Sequence, residues 1–213
     1  MKVLITGFEP FGGEGVNPSW SAARLVAEAR PCGFDTTAVR LSCVYGKAIA
    51  ELRAAVADTG PDLVLCAGQA GGRTGLSVER VAVNVDDARI PDNAGNQPVD
   101  EPIVPGGPVA YLSSLPVKAC VAAVREAGLP ASVSGTAGNF LCNHVFYGLA
   151  HLIATERPGL RGGFVHVPYA PEQVVGKAEP SMSVQDIARG LAVIVETAAR
   201  TTTDLGVPEG ATH

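Results

Sequence analysis

The stretch that decides the fold opens the chain: Met1-Lys2-Val3-Leu4-Ile5-Thr6-Gly7. Three consecutive aliphatic residues run into a glycine without the polar alternation of a half-solvated strand. The segment therefore predicts a strand covered on both faces. A helix-period segment follows, with Ala22, Leu25, Val26 and Ala29 at i, i+3, i+4 and i+7. The same alternation continues along the chain. Residues 37–41, 63–67, 78–85 and 163–167 read as strands, and 131–134 as a shorter one. Helical stripes recur at Val117, Cys120, Val121 and Val124, and again at Val145, Gly148, Leu149 and Leu152. The last helix carries the longest stripe, Val184 to Ala198, with Ser183 as its cap and Asp186 three residues on as a near capping box. Apolar strands interleaved with helices predict one α/β domain of three layers, α/β/α, over residues 1–200, with a mostly parallel central sheet.

Two stretches interrupt the alternation. Residues 86–108 hold five prolines among acids and amides and predict a long excursion, the kind of loop that is functional or mobile. Residues 201–213 follow the last helix with threonines, glycines and a proline, and predict a flexible tail.

Composition narrows the function. The 213 residues suit one large domain, and 46% apolar content supports a sizeable core. A formal net charge of −5 argues against nucleic acid or an anionic membrane as the main partner. No apolar run reaches the ~18 residues of a spanning helix, and the first seven residues are too short for a secretory signal. Five cysteines, an odd number without CxxC or His/Cys metal spacing, predict reduced thiols in a cytoplasm and no metal site.

The glycine cluster Gly7-Phe8-Glu9-Pro10-Phe11-Gly12-Gly13-Glu14-Gly15 sits between a strand and a helix, where phosphate loops occur. Gly13 and Glu14 stand where such a loop requires lysine and serine or threonine, and Glu9 and Glu14 would repel a pyrophosphate. What remains is a loop with two phenylalanines at the ligand-binding end of the first strand. Phe8 and Phe11 either plug the core beneath the loop or form the walls of a site for a flat, uncharged ligand. Asn17 and Pro18 supply a helix cap and a proline at the first helical position.

Three further residues carry chemistry. On a strand over residues 77–85, Glu79 would share a face with Val81, Val83 and Val85, so its carboxylate needs a partner. An ion pair with Arg80 or Arg89 and a functional role are both open. Cys142 begins a helix, where unpaired amides and the dipole favour a thiolate and can cradle an oxyanion. A cysteine nucleophile wants a histidine. His144 lies about 200° around the helix from Cys142 and His151 lies further along it, whereas His166 sits near the C-terminal end of a strand. Cys142, His166 and Glu79 thus read as nucleophile, base and orienting acid.

At these residues the sequence resembles a known family. Gly7-Phe8-Glu9-Pro10-Phe11-Gly12-Gly13 with Asn17-Pro18-Ser19-Trp20 is similar to the opening of pyroglutamyl peptidase I. Gly68-Gln69-Ala70-Gly71-Gly72-Arg73, Glu79-Arg80-Val81-Ala82, Ala88-Arg89-Ile90-Pro91-Asp92-Asn93, Asn96-Gln97-Pro98, Cys142-Asn143-His144 and Gly162-Gly163-Phe164-Val165-His166-Val167-Pro168 follow in order. The resemblance covers residues 3 to about 173. It implies a phosphorylase- or hydrolase-like α/β architecture and a cysteine exopeptidase that removes N-terminal pyroglutamate (5-oxoproline) with no cofactor. It places the triad on Glu79, Cys142 and His166. Phe8 and Phe11 match ring-binding aromatics, with Asn17, Gln69, Ile90, Phe140 and Leu141 around the pocket and Arg89 in an active-site role. It further implies a cytoplasmic homo-oligomer, a tetramer, whose partners are pyroglutamyl peptides. Two other readings compete: a related cysteine hydrolase for another cyclic amide or N-blocked substrate, and a small-molecule binding domain in which Cys142 is only structural.

Overall fold

In the computed structural model, residues 1–209 are described. Strand β1 (Lys2–Phe8) is buried from Val3 onward, as its apolar run requires. Helix α1 (Pro18–Ala29) follows, capped by Asn17, whose side-chain oxygen accepts from the Ser19 N–H. Then come β2 (Asp35–Leu41), α2 (Lys47–Thr59), β3 (Leu63–Gln69), β4 (Leu76–Glu79), β5 (Val81–Val83), β6 (Ala110–Leu112), α3 (Val117–Glu126), β7 (Ala131–Ser134), α4 (Leu141–Thr155), β8 (Arg161–Val167) and α5 (Val184–Arg200).

Six strands form the central sheet in the order β2-β1-β3-β8-β4-β7. All its pairs are parallel except β4 against β8. Alternate residues of each strand feed opposite layers. Val3 and Ile5 pack with Val26 of α1, Val121 of α3 and Leu191 of α5, whereas Leu4 and Phe8 pack with Leu52 of α2 and Val145 and Leu149 of α4. This is the three-layer α/β arrangement that the sequence predicts. The Ser183 cap is also in place, its hydroxyl accepting from the Asp186 N–H at 3.0 Å and donating to Asp186 Oδ2 at 2.8 Å.

Residues 77–85 do not form one strand. The chain leaves the central sheet at Arg80, and β5 pairs antiparallel with β6 in a separate two-stranded ribbon. Glu79 therefore does not share a strand face with Val81, Val83 and Val85. The excursion 86–108 is folded around Asp92. Its Oδ1 accepts from the N–H groups of Ala94 and Asn96 at 2.8 Å each, and its Oδ2 from the Tyr45 N–H at 2.9 Å. Asn93 ties the excursion to the first loop, donating to Glu9 Oε1 and the Pro10 carbonyl at 2.9 Å each.

After α5, residues 201–209 have no helix or strand, yet side chains hold them to α3. Asp204 Oδ1 accepts from the N–H groups of Lys118 and Ala119 at 2.9 Å each, capping that helix, and Glu209 pairs with Arg125 at 2.6 Å. Within the stretch 201–213 that the sequence reads as a flexible tail, residues 201–209 make these contacts, and 210–213, with His213, lie outside the described residues. Among the described residues, no helix is long and apolar enough to cross a membrane.

Candidate active site

The C-terminal ends of β1, β3 and β8 converge with the start of α4. Register explains how Glu79 and His166 meet. In the antiparallel pair β4–β8, Ser77 stands directly opposite His166. Glu79 shares the face of Ser77 and is the diagonal neighbour of His166, within reach of a long side chain. His166 Nδ1 lies 2.7 Å from Glu79 Oε1. A carboxylate only accepts, so Nδ1 carries the proton and Nε2 is the nitrogen left for the cavity.

Glu79 is fully buried, and the same oxygen lies 3.4 Å from Arg73 Nη1. The arginine beside Glu79 is therefore Arg73, from the loop after β3, and not Arg80 or Arg89. Arg73 in turn donates to the Thr136 carbonyl at 3.4 Å. The charge that accompanies the buried acid comes from this loop, while the imidazole on the other side supplies a hydrogen bond.

Cys142 is the second residue of α4, after Phe140 as its cap. It lines a cavity of about 130 Å³ together with Phe8, Phe11, Asn17, Cys43, Gln69, Ala137, Phe140, Leu141 and His166. Phe11 and Phe140 face each other at 6.1 Å between ring centroids, tilted by 41°. The polar groups of the wall, apart from Cys142 and His166, are the amides of Asn17 and Gln69 and the Cys43 thiol, so it carries no fixed charge. Phe8, 2% exposed, is both core and wall, which joins the two readings of that residue.

The environment shifts both Cys142 and His166 toward their neutral forms. Burial pushes the Cys142 thiol up, with charge at Cys43 and Glu79 acting in the same direction and Arg73 against it. Burial also lowers the His166 pKa, opposed by its hydrogen bond to Glu79 and the Glu79 charge, and assisted by Arg73. Burial of the sulfur thus acts against the thiolate that a helix terminus favours.

Of the predicted site residues, Glu79, Cys142, His166, Phe8, Phe11, Asn17, Gln69, Phe140 and Leu141 come together. Arg89 and Ile90 do not line the cavity: they lie in the excursion, and the Arg89 side chain is exposed. Sequence reasoning missed Arg73, Cys43 and Ala137. Arg73 had a signal, being the basic residue in the glycine-rich turn at the ligand end of β3. Cys43 had a weaker one, as a thiol just past the end of β2. His144 faces away from the cavity as its helical angle requires: its Nδ1 donates to Asp86 Oδ2 at 2.7 Å and its Nε2 accepts from the Gly46 N–H at 3.0 Å. All five cysteines are free thiols. Among the described residues, no group of three or more His, Cys, Asp or Glu is placed to hold a metal ion.

Residues 1–201 match the family model described as pyroglutamyl peptidase. The chain is 64% identical to the pyrrolidone-carboxylate peptidase of Streptomyces coelicolor, covering 100% of this chain and 99% of the relative. It is 52% identical to that of Escherichia fergusonii, covering 99% of each. The crystal structure of pyroglutamyl peptidase I from Bacillus amyloliquefaciens superposes with a TM-score of 0.95 at 47% identity, over 97% of this chain and 99% of that one. Pyrrolidone carboxyl peptidase from Pyrococcus furiosus gives 0.88 at 43%, over 94% and 99%. With its whole length accounted for and its cysteine, histidine and buried acid assembled at one sheet edge, the chain belongs to the pyroglutamyl peptidase family of cysteine peptidases.

Proposed function

We propose that this chain hydrolyses the peptide bond after an N-terminal pyroglutamyl residue, with Cys142 as nucleophile, His166 as base and then acid, and Glu79 as the group that orients the imidazole. The observation that carries this reading is the shared cavity. Cys142 and His166, the latter fixed by Glu79, open onto the same space as the Phe8 and Phe11 rings and the Asn17 and Gln69 amides. Pyroglutamate is a flat lactam without a charged amine. Aromatic walls and neutral amides suit it, whereas the carboxylate by which a general aminopeptidase holds an α-ammonium is absent from this wall.

Both reacting groups are neutral at rest in this reading, so proton transfer accompanies attack. The Cys142 proton moves to His166 Nε2 as Sγ bonds to the carbonyl carbon. The carbonyl π electrons move to oxygen, facing the first-turn N–H groups of α4, which have no intrahelical partners. His166 then gives its proton to the leaving amine as the C–N bond breaks. Water, deprotonated by His166, releases pyroglutamate from the thioester and restores the thiol.

The same reading includes a cytoplasmic homotetramer. Val109 and Leu112, 87% and 72% exposed around β6, supply apolar surface for self-association. Sedimentation of the folded protein is expected to give about four chain masses, and a monomer at micromolar concentration would remove this part of the reading.

The deciding experiment is release of aminomethylcoumarin from its pyroglutamyl derivative under reducing conditions, beside the prolyl and alanyl analogues and with Cys142→Ala in parallel. Turnover confined to the pyroglutamyl compound and lost in the variant is expected. No turnover by folded, reduced protein would overturn the reading in favour of a binding domain.

A further inference from the structure

Gln173 is outside the cavity wall, 7% exposed, in a short 3₁₀ turn (Pro171–Gln173) after β8. Its side-chain oxygen accepts from the Ala170 N–H at 3.0 Å. A backbone N–H can only donate, so this contact fixes which end of the amide is oxygen. The amino end must point the other way. There it donates to Gln69 Oε1 at 3.0 Å and lies 3.3 Å from Glu14 Oε2. A carboxylate can only accept, so Glu14 demands the same orientation as Ala170.

The polarity passes on to the cavity. Gln69 turns its oxygen to Gln173 and keeps its amino group for the space it lines. Asn17 is set in the same sense: its oxygen accepts from the Ser19 N–H at 3.1 Å and the Ser19 hydroxyl at 2.7 Å. Its amino group donates to the Glu9 carbonyl at 3.0 Å and retains a second N–H. Both amides of the wall therefore offer donors.

We propose that Gln173, held by Ala170 and Glu14, is a positioning residue that fixes Gln69 as a hydrogen-bond donor, so that this wall selects the ring carbonyl oxygen of the pyroglutamyl group. The inference rests on the pyroglutamyl reading given above. A carbonyl in the ring is present before and during reaction, so its donor contributes to binding more than to the chemical step.

The test is Gln173→Glu, which keeps the shape but removes the donor. Gln69 then turns its amino group toward the introduced carboxylate and its oxygen to the cavity. The expected result is a rise of about tenfold in KM for pyroglutamyl-aminomethylcoumarin and in Kd for 2-pyrrolidinone by calorimetry, the worth of about one hydrogen bond. The change in kcat should stay within about twofold. Gln173→Met, which neither donates nor accepts, should give a smaller rise and serves if the glutamate variant does not fold. In a Gln69→Ala background, Gln173→Glu should have no further effect. Unchanged KM and Kd in a folded variant, a loss confined to kcat, or full additivity with Gln69→Ala would overturn the proposal. If the unmodified protein does not turn over the substrate, the functional reading fails, while 2-pyrrolidinone binding still decides on Gln173.

Discussion

The sulfur of Cys142 occupies the space where a side chain on Gly68 would begin. A Cβ built on Gly68 would stand 2.6 Å from Cys142 Sγ and 2.7 Å from Phe164 Cζ. Gly68 is paired in register with His166 on the adjacent parallel strand. Backbone of β3 thus comes against the proposed nucleophile beside the proposed base, an approach that a residue with a side chain would prevent.

Gly68→Ala should therefore fold, with overpacking costing about 1–3 kcal/mol, but with Cys142 displaced. A shift of about 1 Å at the reacting atom can cost ~10²-fold in rate. We expect kcat on a pyroglutamyl substrate to fall about a hundredfold at a temperature where circular dichroism shows the native state. A wild-type kcat would show that the sulfur has room to move without consequence.

The acid limb of activity follows from His166. With His166 as the proposed base, turnover needs neutral imidazole, and burial lowers its pKa from the ordinary 6.5. The fall in kcat/KM on acidification should thus have its midpoint below pH 6.5. Glu79 raises the His166 pKa and Arg73 lowers it. Glu79→Gln should move the midpoint further down while reducing kcat, and Arg73→Met should move it up. Stability has the same sign: a depressed histidine pKa gives stability present above the unfolded value, lost as pH falls through the folded one. Rate profiles of the three proteins check this, and equal midpoints would remove the electrostatic linkage.

The thiol gives an independent measurement. Burial pushes Cys142 above its ordinary 9.0, and pushes Cys43, its neighbour in the cavity wall, up to about 12. Thiolate absorbance near 240 nm, taken as the difference between wild type and Cys142→Ala, should remain flat through neutral pH and rise only above pH 9. A step below pH 7 would establish a preformed thiolate–imidazolium pair instead.

Much of this site is legible without coordinates because it stands on strands whose burial is local information. The runs around Val3, Leu65 and Val165 are apolar on both faces, so β1, β3 and β8 can be read, and with them the edge that carries Phe8, Gln69 and His166. Helix α2 escapes such a reading because alanines form half of its buried stripe (Ala48, Leu52, Ala55, Val56), leaving little contrast with its other faces. The break at Arg80 depends on β6, about thirty residues downstream, which competes with the central sheet for β5. The choice of arginine also depends on tertiary folding. Strand alternation already sets Arg80 opposite to Glu79, but nothing local brings the loop containing Arg73 back over the acid.

Asn143, next to Cys142, supplies the last prediction. It is fully buried, yet it is one of the few polar side chains in that part of the core. Its oxygen accepts from the Val83 N–H at 3.0 Å, and its amino group donates to the carbonyls of Val83 and Val85 at 2.9 and 3.0 Å. The side chain thus pairs with β5 as another strand would, fastening to α4 the ribbon that left the sheet at Arg80. Asn143→Ala strands these backbone groups, each at about 1–3 kcal/mol if left without a partner. We expect a loss of about 2–4 kcal/mol in urea unfolding with an unchanged m-value. Asn143→Asp should also destabilise, because a carboxylate cannot donate to the two carbonyls and would be buried without a countercharge. Stability equal to wild type in both variants would mean that the ribbon is held by its apolar contacts with α4 alone.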